Sequence, residues 1–254
     1  MSQLSHVNWV DWMERWDRQQ AGYLPRRDEQ IALMLEIVER VVGHPTGLLD
    51  LASGPGSIAS RAAERFPDTH LFALDVDPFL LELGRRTRGA AAIEFLEADL
   101  RQAGWDEVLP AAGLNAVCTA TSLHYLTADQ IVSLAVVLAN RLPPDGVFVN
   151  IDTMRLGEES GPRLDHLAVA LREHLWDGDN PVEVEGWQGW WTAARAEPAF
   201  ATLLAERDRR LISPDPDQAP ITLADMTNAF RSAGFAEVGV LAQEADKHTF
   251  VAIR

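Results

Sequence analysis

Cysteine is almost absent from this chain: Cys118 is the single one in 254 residues, so no intrachain disulfide can form. Lysine is as scarce, with Lys247 alone, and any chemistry that needs a catalytic lysine is confined to that one position. No apolar run approaches the roughly 18 residues of a membrane span. The opening MSQLSHVNWVDW also lacks the basic-then-apolar layout of a secretory signal. These absences predict a soluble, cytoplasmic protein with no membrane partner. Positive charge is short as well: 22 basic residues face 38 acidic ones, a formal net charge of -16. Such a surface repels phosphate backbones, which argues against nucleic acid as a partner. It is also what keeps an ordinary globular protein in solution.

What is present is a globular composition, 47% hydrophobic with 17 Gly and 14 Pro. Trp9, Trp12, Met13 and Trp16 recur at helical spacing between 5 and about 20, and a second helix is predicted over 26 to 42. From Leu48 the pattern becomes strand, turn, helix, repeated. Strands are predicted at 47 to 52, 69 to 75, 92 to 97, 114 to 120 and 146 to 151, with helices at 57 to 66, 78 to 88 and 127 to 142. Strands this apolar are covered on both faces, and alternation of this kind implies right-handed crossovers and a parallel sheet. The rhythm breaks after Asp152. Helical stretches at 161 to 175, 187 to 196 and 198 to 211 follow, then a helix from Thr222 and two closely linked strand-like runs, AEVGVLA and HTFVAI. Every tryptophan except Trp105 lies outside the predicted sheet.

The expected fold is α/β: a seven-stranded, mostly parallel, doubly wound sheet with an antiparallel last strand, N-terminal helices and a helical lid inserted after the fifth strand. One domain is expected, divided into an N-terminal cap (1–42), a Rossmann-like core (43–152 and 222–254) and a substrate lid (153–221).

Leu49-Asp50-Leu51-Ala52-Ser53-Gly54-Pro55-Gly56-Ser57-Ile58 reads as a strand feeding a glycine turn that opens a helix. Side chains are missing where a ligand must approach backbone, and free helix N–H groups wait behind them. Asp75 ends the next strand, nineteen positions after Gly56, where a carboxylate can accept both hydroxyls of a ribose. The same glycine pattern also satisfies the dinucleotide fingerprint, so these residues alone suit NAD as well as S-adenosylmethionine. Glu97-Ala98-Asp99-Leu100 follows the third strand, with Asp99 placed to accept from an adenine amino group and Leu100 to pack on the ring.

With LDLASGPG, ALDVDP, EADL, VCTATSLHYL, LPPDGVFVNID and AGFAEV in this order, the chain resembles the class I S-adenosylmethionine-dependent methyltransferases over about 22–152 and 222–254. Ala52-Ser53 departs from the usual Gly-Cys, a change expected to alter the polarity of the turn. The resemblance implies that Tyr23 and Arg27 close over the methionine end of the cofactor, whose carboxylate a guanidinium grips with paired hydrogen bonds. Arg26 is an equal candidate on chemistry. It further implies that Ala52, Ser53, Gly54, Gly56, Val76, Leu100 and Thr119 lie against the cofactor.

His124, just after the fourth strand, is the candidate general base for an acceptor proton, or else a histidine that fixes its loop. Asp152 ends the fifth strand and can orient His124. Trp12 and Trp191 are candidate walls of an aromatic substrate chamber, with Trp187 and Tyr125 beside them, while Trp9 and Trp16 read better as core packing. No Asp/Asn-Pro-Pro-aromatic motif follows strand four, Cys118 lacks a Pro-Cys setting, no acidic residue closes strand four to begin a carboxylate metal site, and no histidine pair has zinc spacing, so a metal-independent enzyme is expected. The expected reaction is transfer of methyl to oxygen or nitrogen of a small, aromatic or amphipathic metabolite, by a chain able to form a homodimer. Two rivals are a non-methylating use of the sulfonium and an NAD-linked oxidoreductase. The latter lacks support, because Tyr125 is followed four residues later by Asp129 instead of lysine.

Overall fold

A computed structural model describes residues 3–89, 92–157, 160–177, 185–211 and 218–254. Seven strands form one sheet: β1 (Gly47–Leu51), β2 (His70–Asp75), β3 (Ile93–Glu97), β4 (Ala116–Ala120), β5 (Val147–Thr153), β6 (Glu237–Glu244) and β7 (Lys247–Ile253). Their order is β3-β2-β1-β4-β5-β7-β6. The first five are parallel, and β7 runs antiparallel between β5 and β6. The chain order reverses between β1 and β4, so the crevice where a ligand fits opens at the carboxyl ends of those strands.

Nine helices are found among the described residues: α1 (Trp9–Ala21), α2 (Arg27–Val42), α3 (Ser57–Arg65), α4 (Pro78–Arg88), α5 (Ala128–Arg141), α6 (Pro162–Asp177), α7 (Trp187–Ala196), α8 (Ala201–Arg210) and α9 (Leu223–Ser232). Every residue of β1 is buried, as a strand covered on both faces must be. One face packs under α2 and α3, the other under α5 and α9, where Phe148, Phe230 and Phe250 meet.

Differences from expectation are local. The first helix starts at Trp9, where Asn8 accepts from Asp11 N–H; the residues before it form a short 3-10 turn. The third helix of the insertion is split at Pro198–Phe200, a 3-10 turn ahead of α8. Of the expected lid, 158–159, 178–184 and 212–217 lie outside the described residues. The tryptophans of α1 and α7 build a third cluster with Phe79 of α4 and Phe200, so the N-terminal helix and the insertion are packed on each other rather than apart.

Candidate active site

Asp50 organises the turn after β1. Its buried Oδ2 accepts from the N–H groups of Ile58 (3.0 Å) and Ala59 (2.9 Å), two of the donors that the start of α3 leaves free. The turn itself is left-handed at Ala52 (φ 52°), Gly54 (φ 53°) and Gly56 (φ 77°). A Cβ on Gly56 would stand 3.0 Å from the Phe95 ring, and one on Gly84 of α4 would press on the Pro55 carbonyl at 2.8 Å. The turn is thus clamped from below by β3 and α4. The Ala52 substitution alters more than polarity, because a Cβ in the left-handed region costs about 1–2 kcal/mol. Ala52→Gly is expected to raise stability by a few tenths to about 1 kcal/mol, net of the entropy glycine gives back, read as a higher urea midpoint.

Burial pushes the Asp50 carboxyl up to about 7, against the pull of the two N–H groups. Burial, then the neighbouring Asp77 charge, raises Asp75 to about 6. A carboxyl whose folded value is raised binds more protons in the native state than unfolded, so its stabilising contribution is complete in acid and is lost as pH rises. For this pair the window runs from about pH 4 to about pH 7. Asp50→Asn keeps an acceptor for Ile58 and Ala59 but carries no charge. Urea melts across that window should show the wild-type protein losing stability relative to the variant as pH increases; parallel curves would refute the assignment.

Asp75 sits at the tip of β2 with Oδ2 on Gly54 N–H (2.7 Å) and Oδ1 on Asp77 N–H (2.8 Å), so it ties the glycine turn to the start of α4. Asp77 caps that helix through Phe79 and Leu80 N–H, and its second oxygen accepts from Arg207 Nε of α8 at 2.7 Å. Beyond β3, Asp99 is gripped by Arg101, with both carboxylate oxygens engaged at 2.8 Å. Burial works against the Asp99 charge, but the Arg101 bonds and charge hold its carboxyl below the usual range.

A cavity of about 990 Å³ opens over these residues. Ala52, Ser53, Gly54, Asp75, Val76, Asp99 and Leu100 line it, as do Tyr23 and Arg27 from the opposite wall. The two candidate arginines are separated by the backbone. Arg26, at φ 54°, turns outward to Glu244 (3.2 Å), whereas Arg27 faces the cavity and pairs with Asp17 at 2.8 Å.

At the far end His124 and Asp152 come together. Asp152 is buried on β5, its Oδ1 lies 2.7 Å from His124 Nδ1, and its Oδ2 accepts from His124 N–H at 3.2 Å. Burial disfavours the imidazolium and Arg172 repels it, yet the Asp152 charge and hydrogen bond prevail and raise His124 above its ordinary value. Tyr125 lies beside the imidazole, ring centroids 4.2 Å apart, half-exposed at the cavity mouth opposite Tyr23 and Trp187.

Several expected contacts are not made. Thr119 is fully buried and bonds Ser122 Oγ at 2.7 Å; Ala120, Thr121 and Ser122 line the cavity in its stead, because the strand's alternation turns Thr119 inward. Gly56 shapes the turn from beneath without lining the cavity, and Asp152 stands behind His124. Trp12 and Trp191 do not line this cavity. Trp12 is buried against Trp190 and Phe200, and Trp191 carries Arg207 over its face at 3.8 Å in a second pocket that shares Trp187, Arg195 and Arg207 with the cavity. Trp16 packs in the aromatic cluster, as expected of a core residue, and its ring also lines the cavity, 3.5 Å from where a Gly54 Cβ would be.

Sequence reasoning missed Arg101, Gln130, Arg207 and Gln218 in the wall. Arg207 belongs to the charged run AERDRR, but nothing in that run signals a partner 130 positions away. Among the described residues no three His, Cys, Asp or Glu side chains cluster as a metal ion requires, and no helix is long and apolar enough to cross a membrane.

Comparison with known proteins adds the following. Residues 48–146 match the family model described as a methyltransferase domain. No curated protein matches the chain at a significant level. Among solved structures, a putative O-methyltransferase from Nostoc punctiforme superposes with a TM-score of 0.58 at 16% identity, over 98% of this chain and 61% of that one. Streptomyces venezuelae DesVI gives 0.58 at 16%, over 95% and 97%. Human N-acetylserotonin methyltransferase, solved with SAM, gives 0.52 at 14%, over 99% and 59%. The chain spans only 50%, 61% and 57% of the first three structures it matches, and identities this low establish the fold alone. The matched segment, 48–146, contains the glycine turn, Asp75 and Asp99, and is similar there to a methyltransferase domain.

Proposed function

We propose that the protein transfers a methyl group from S-adenosylmethionine to an oxygen or nitrogen of a small, aromatic or amphipathic metabolite, without a metal. The observation that carries this reading is the shared cavity: the glycine turn with Asp75 and Asp99 at one end, and His124 backed by Asp152 at the other. The residues present fit the cofactor. Gly54 leaves the turn open, Asp75 retains lone pairs for ribose hydroxyls beyond its two backbone bonds, and Leu100 offers an apolar surface for the base. Arg27 suits the amino-acid carboxylate at the wall formed by α1 and α2. Asp75, raised only to about 6 and so mostly charged at neutral pH, also favours the positive charge of a sulfonium compound over a neutral one.

When bound, the cofactor supplies an electrophilic methyl carbon and a good leaving group. The chain's own work is positioning and proton handling. Tyr23, Trp187 and Tyr125 narrow the mouth and hold an acceptor in line, which lowers the entropic part of the barrier. Nε2 of His124 takes the acceptor proton, Nδ1 being held by Asp152, which also stabilises the imidazolium that results. A raised imidazole value is compatible with this role, since it strengthens the base at the expense of the fraction available near neutral pH.

The insertion bearing α6, α7 and α8 acts as the substrate lid in this reading. Calorimetry should show one S-adenosylmethionine site per chain. Incubation with panels of phenols and amines should yield methylated product and S-adenosylhomocysteine by mass spectrometry. Methylthioadenosine as the sole product would instead indicate attack on the aminobutyryl chain, and absence of any binding would reject the reading.

A further inference from the structure

Two side chains behind the His124–Asp152 pair have no role in the site so far described. Asn150 and His248 are both fully buried; neither amide atom of Asn150 has a hydrogen-bond partner among the described residues, and the His248 ring has only a weak one, the Asp246 backbone. The sheet register places them. Asp152 on β5 stands opposite His248 on β7, and Asn150 opposite Phe250, so all four side chains share one face of the sheet. Phe148 and Phe250 mark that face as the apolar one packed under α9.

A buried polar group left without a full partner is destabilising, and an unpaired amide and a poorly paired imidazole beside a buried carboxylate would be a heavy burden. Proteins commonly relieve it with ordered water that makes about three hydrogen bonds to the groups around it. Burial depresses the His248 imidazole, so it is neutral near pH 7 and offers one donor and one acceptor. Asn150 offers donors and an acceptor of its own, so the pair can satisfy a bridging water from both sides.

We propose that Asn150 and His248 are positioning residues, joined to the rear of Asp152 by ordered water, which hold its carboxylate in line with His124. The inference deepens the proposed function and rests on it in one respect, that His124 is the base. Donors reaching Asp152 from behind share its negative charge. Without them His124 becomes the chief side-chain donor, and the carboxylate holds the imidazolium proton more tightly. The other charged and titratable groups acting here are Arg172 of α6 with its partner Asp246 in the β6–β7 turn, Tyr125 beside the imidazole, and Tyr23, which acts on Tyr125.

The test is an NMR titration of the His124 ring in the full chain without cofactor, assigned through His124→Gln. His248→Leu is expected to move the His124 midpoint upward by roughly half a unit or more, with the acidic limb of the kcat–pH profile following it. His248→Gln, which keeps a donor and an acceptor, should restore both toward wild type. Asn150→Leu serves in the same titration if His248→Leu does not fold. A folded leucine variant in which His124 titrates as in wild type overturns the proposal, as does a high-resolution crystal structure with no water between Asn150, His248 and Asp152. A shifted ring titration with an unmoved kcat–pH profile would leave the buried support standing and instead remove His124 from the role of base.

Discussion

Replacing His124 with alanine is expected to lower kcat by about 10²- to 10⁴-fold, the range ascribed to a positioned proton acceptor, while the affinity for S-adenosylmethionine stays within a few-fold of wild type. The separation follows from the layout: the imidazole lies at the end of the cavity away from Asp75, Asp99 and the glycine turn, and no hydrogen bond links it to them. Asp152→Asn should cost activity as well. An amide cannot stabilise the imidazolium as a carboxylate does, and it releases His124 to titrate nearer its ordinary value. Below that value the imidazole is charged and idle, so wild-type activity should climb with pH through a midpoint above 6.5, and the Asp152→Asn profile should climb earlier. Initial rates across pH with a responsive acceptor would measure both effects. A His124→Ala enzyme with undiminished kcat would restrict this histidine to shaping its loop.

Asp75→Ala carries the second large expectation, a loss of cofactor affinity of roughly 100-fold. Two costs combine. The ribose acceptor disappears, and the N–H groups of Gly54 and Asp77 lose the oxygens at 2.7 and 2.8 Å that hold the turn against α4. Each unsatisfied donor is worth about 1–3 kcal/mol when it stays buried, and 1.4 kcal/mol is tenfold in binding. Asp75→Asn, with one acceptor oxygen left, should fall between. Calorimetric Kd values for the three proteins would read the series directly, and an alanine variant binding as wild type would displace Asp75 from the site.

The core and the glycine turn were legible in the chain because their determinants are local. LLDL and VFVNI carry apolar residues on both faces, interrupted only by Asp50 and Asn150, and are buried without exception. Asp77 before Pro78, and Thr127 three residues before Gln130, announce helix starts that hydrogen bonds then make. The tryptophans were harder. Helical spacing shows that Trp9, Trp12 and Trp16 share a stripe, but a stripe several residues long meets different neighbours along its length. Trp12 and Trp16 therefore both end in the packed aromatic cluster, but of the two only Trp16 also reaches the cavity, beside Gly54. The placement of Thr119 was hard to read for a similar reason: it precedes the last residue of β4, and its face is set by neighbours, Asn150 across the sheet and Ser122 in the loop, that its own spacing does not reveal. Arg101 on Asp99 and Arg207 on Asp77 are pairings of charge, which leave no periodic trace in sequence.

The bond from Arg207 to Asp77 brings one more consequence. The carboxylate that starts α4 also anchors α8, so under the proposed function the shelf for the nucleotide and the roof for the acceptor are joined by one buried pin, alongside the Arg210–Glu97 pair. Any rearrangement that admits one reactant must load or unload that pin, and the two reactants are therefore expected to enter in a preferred sequence rather than independently.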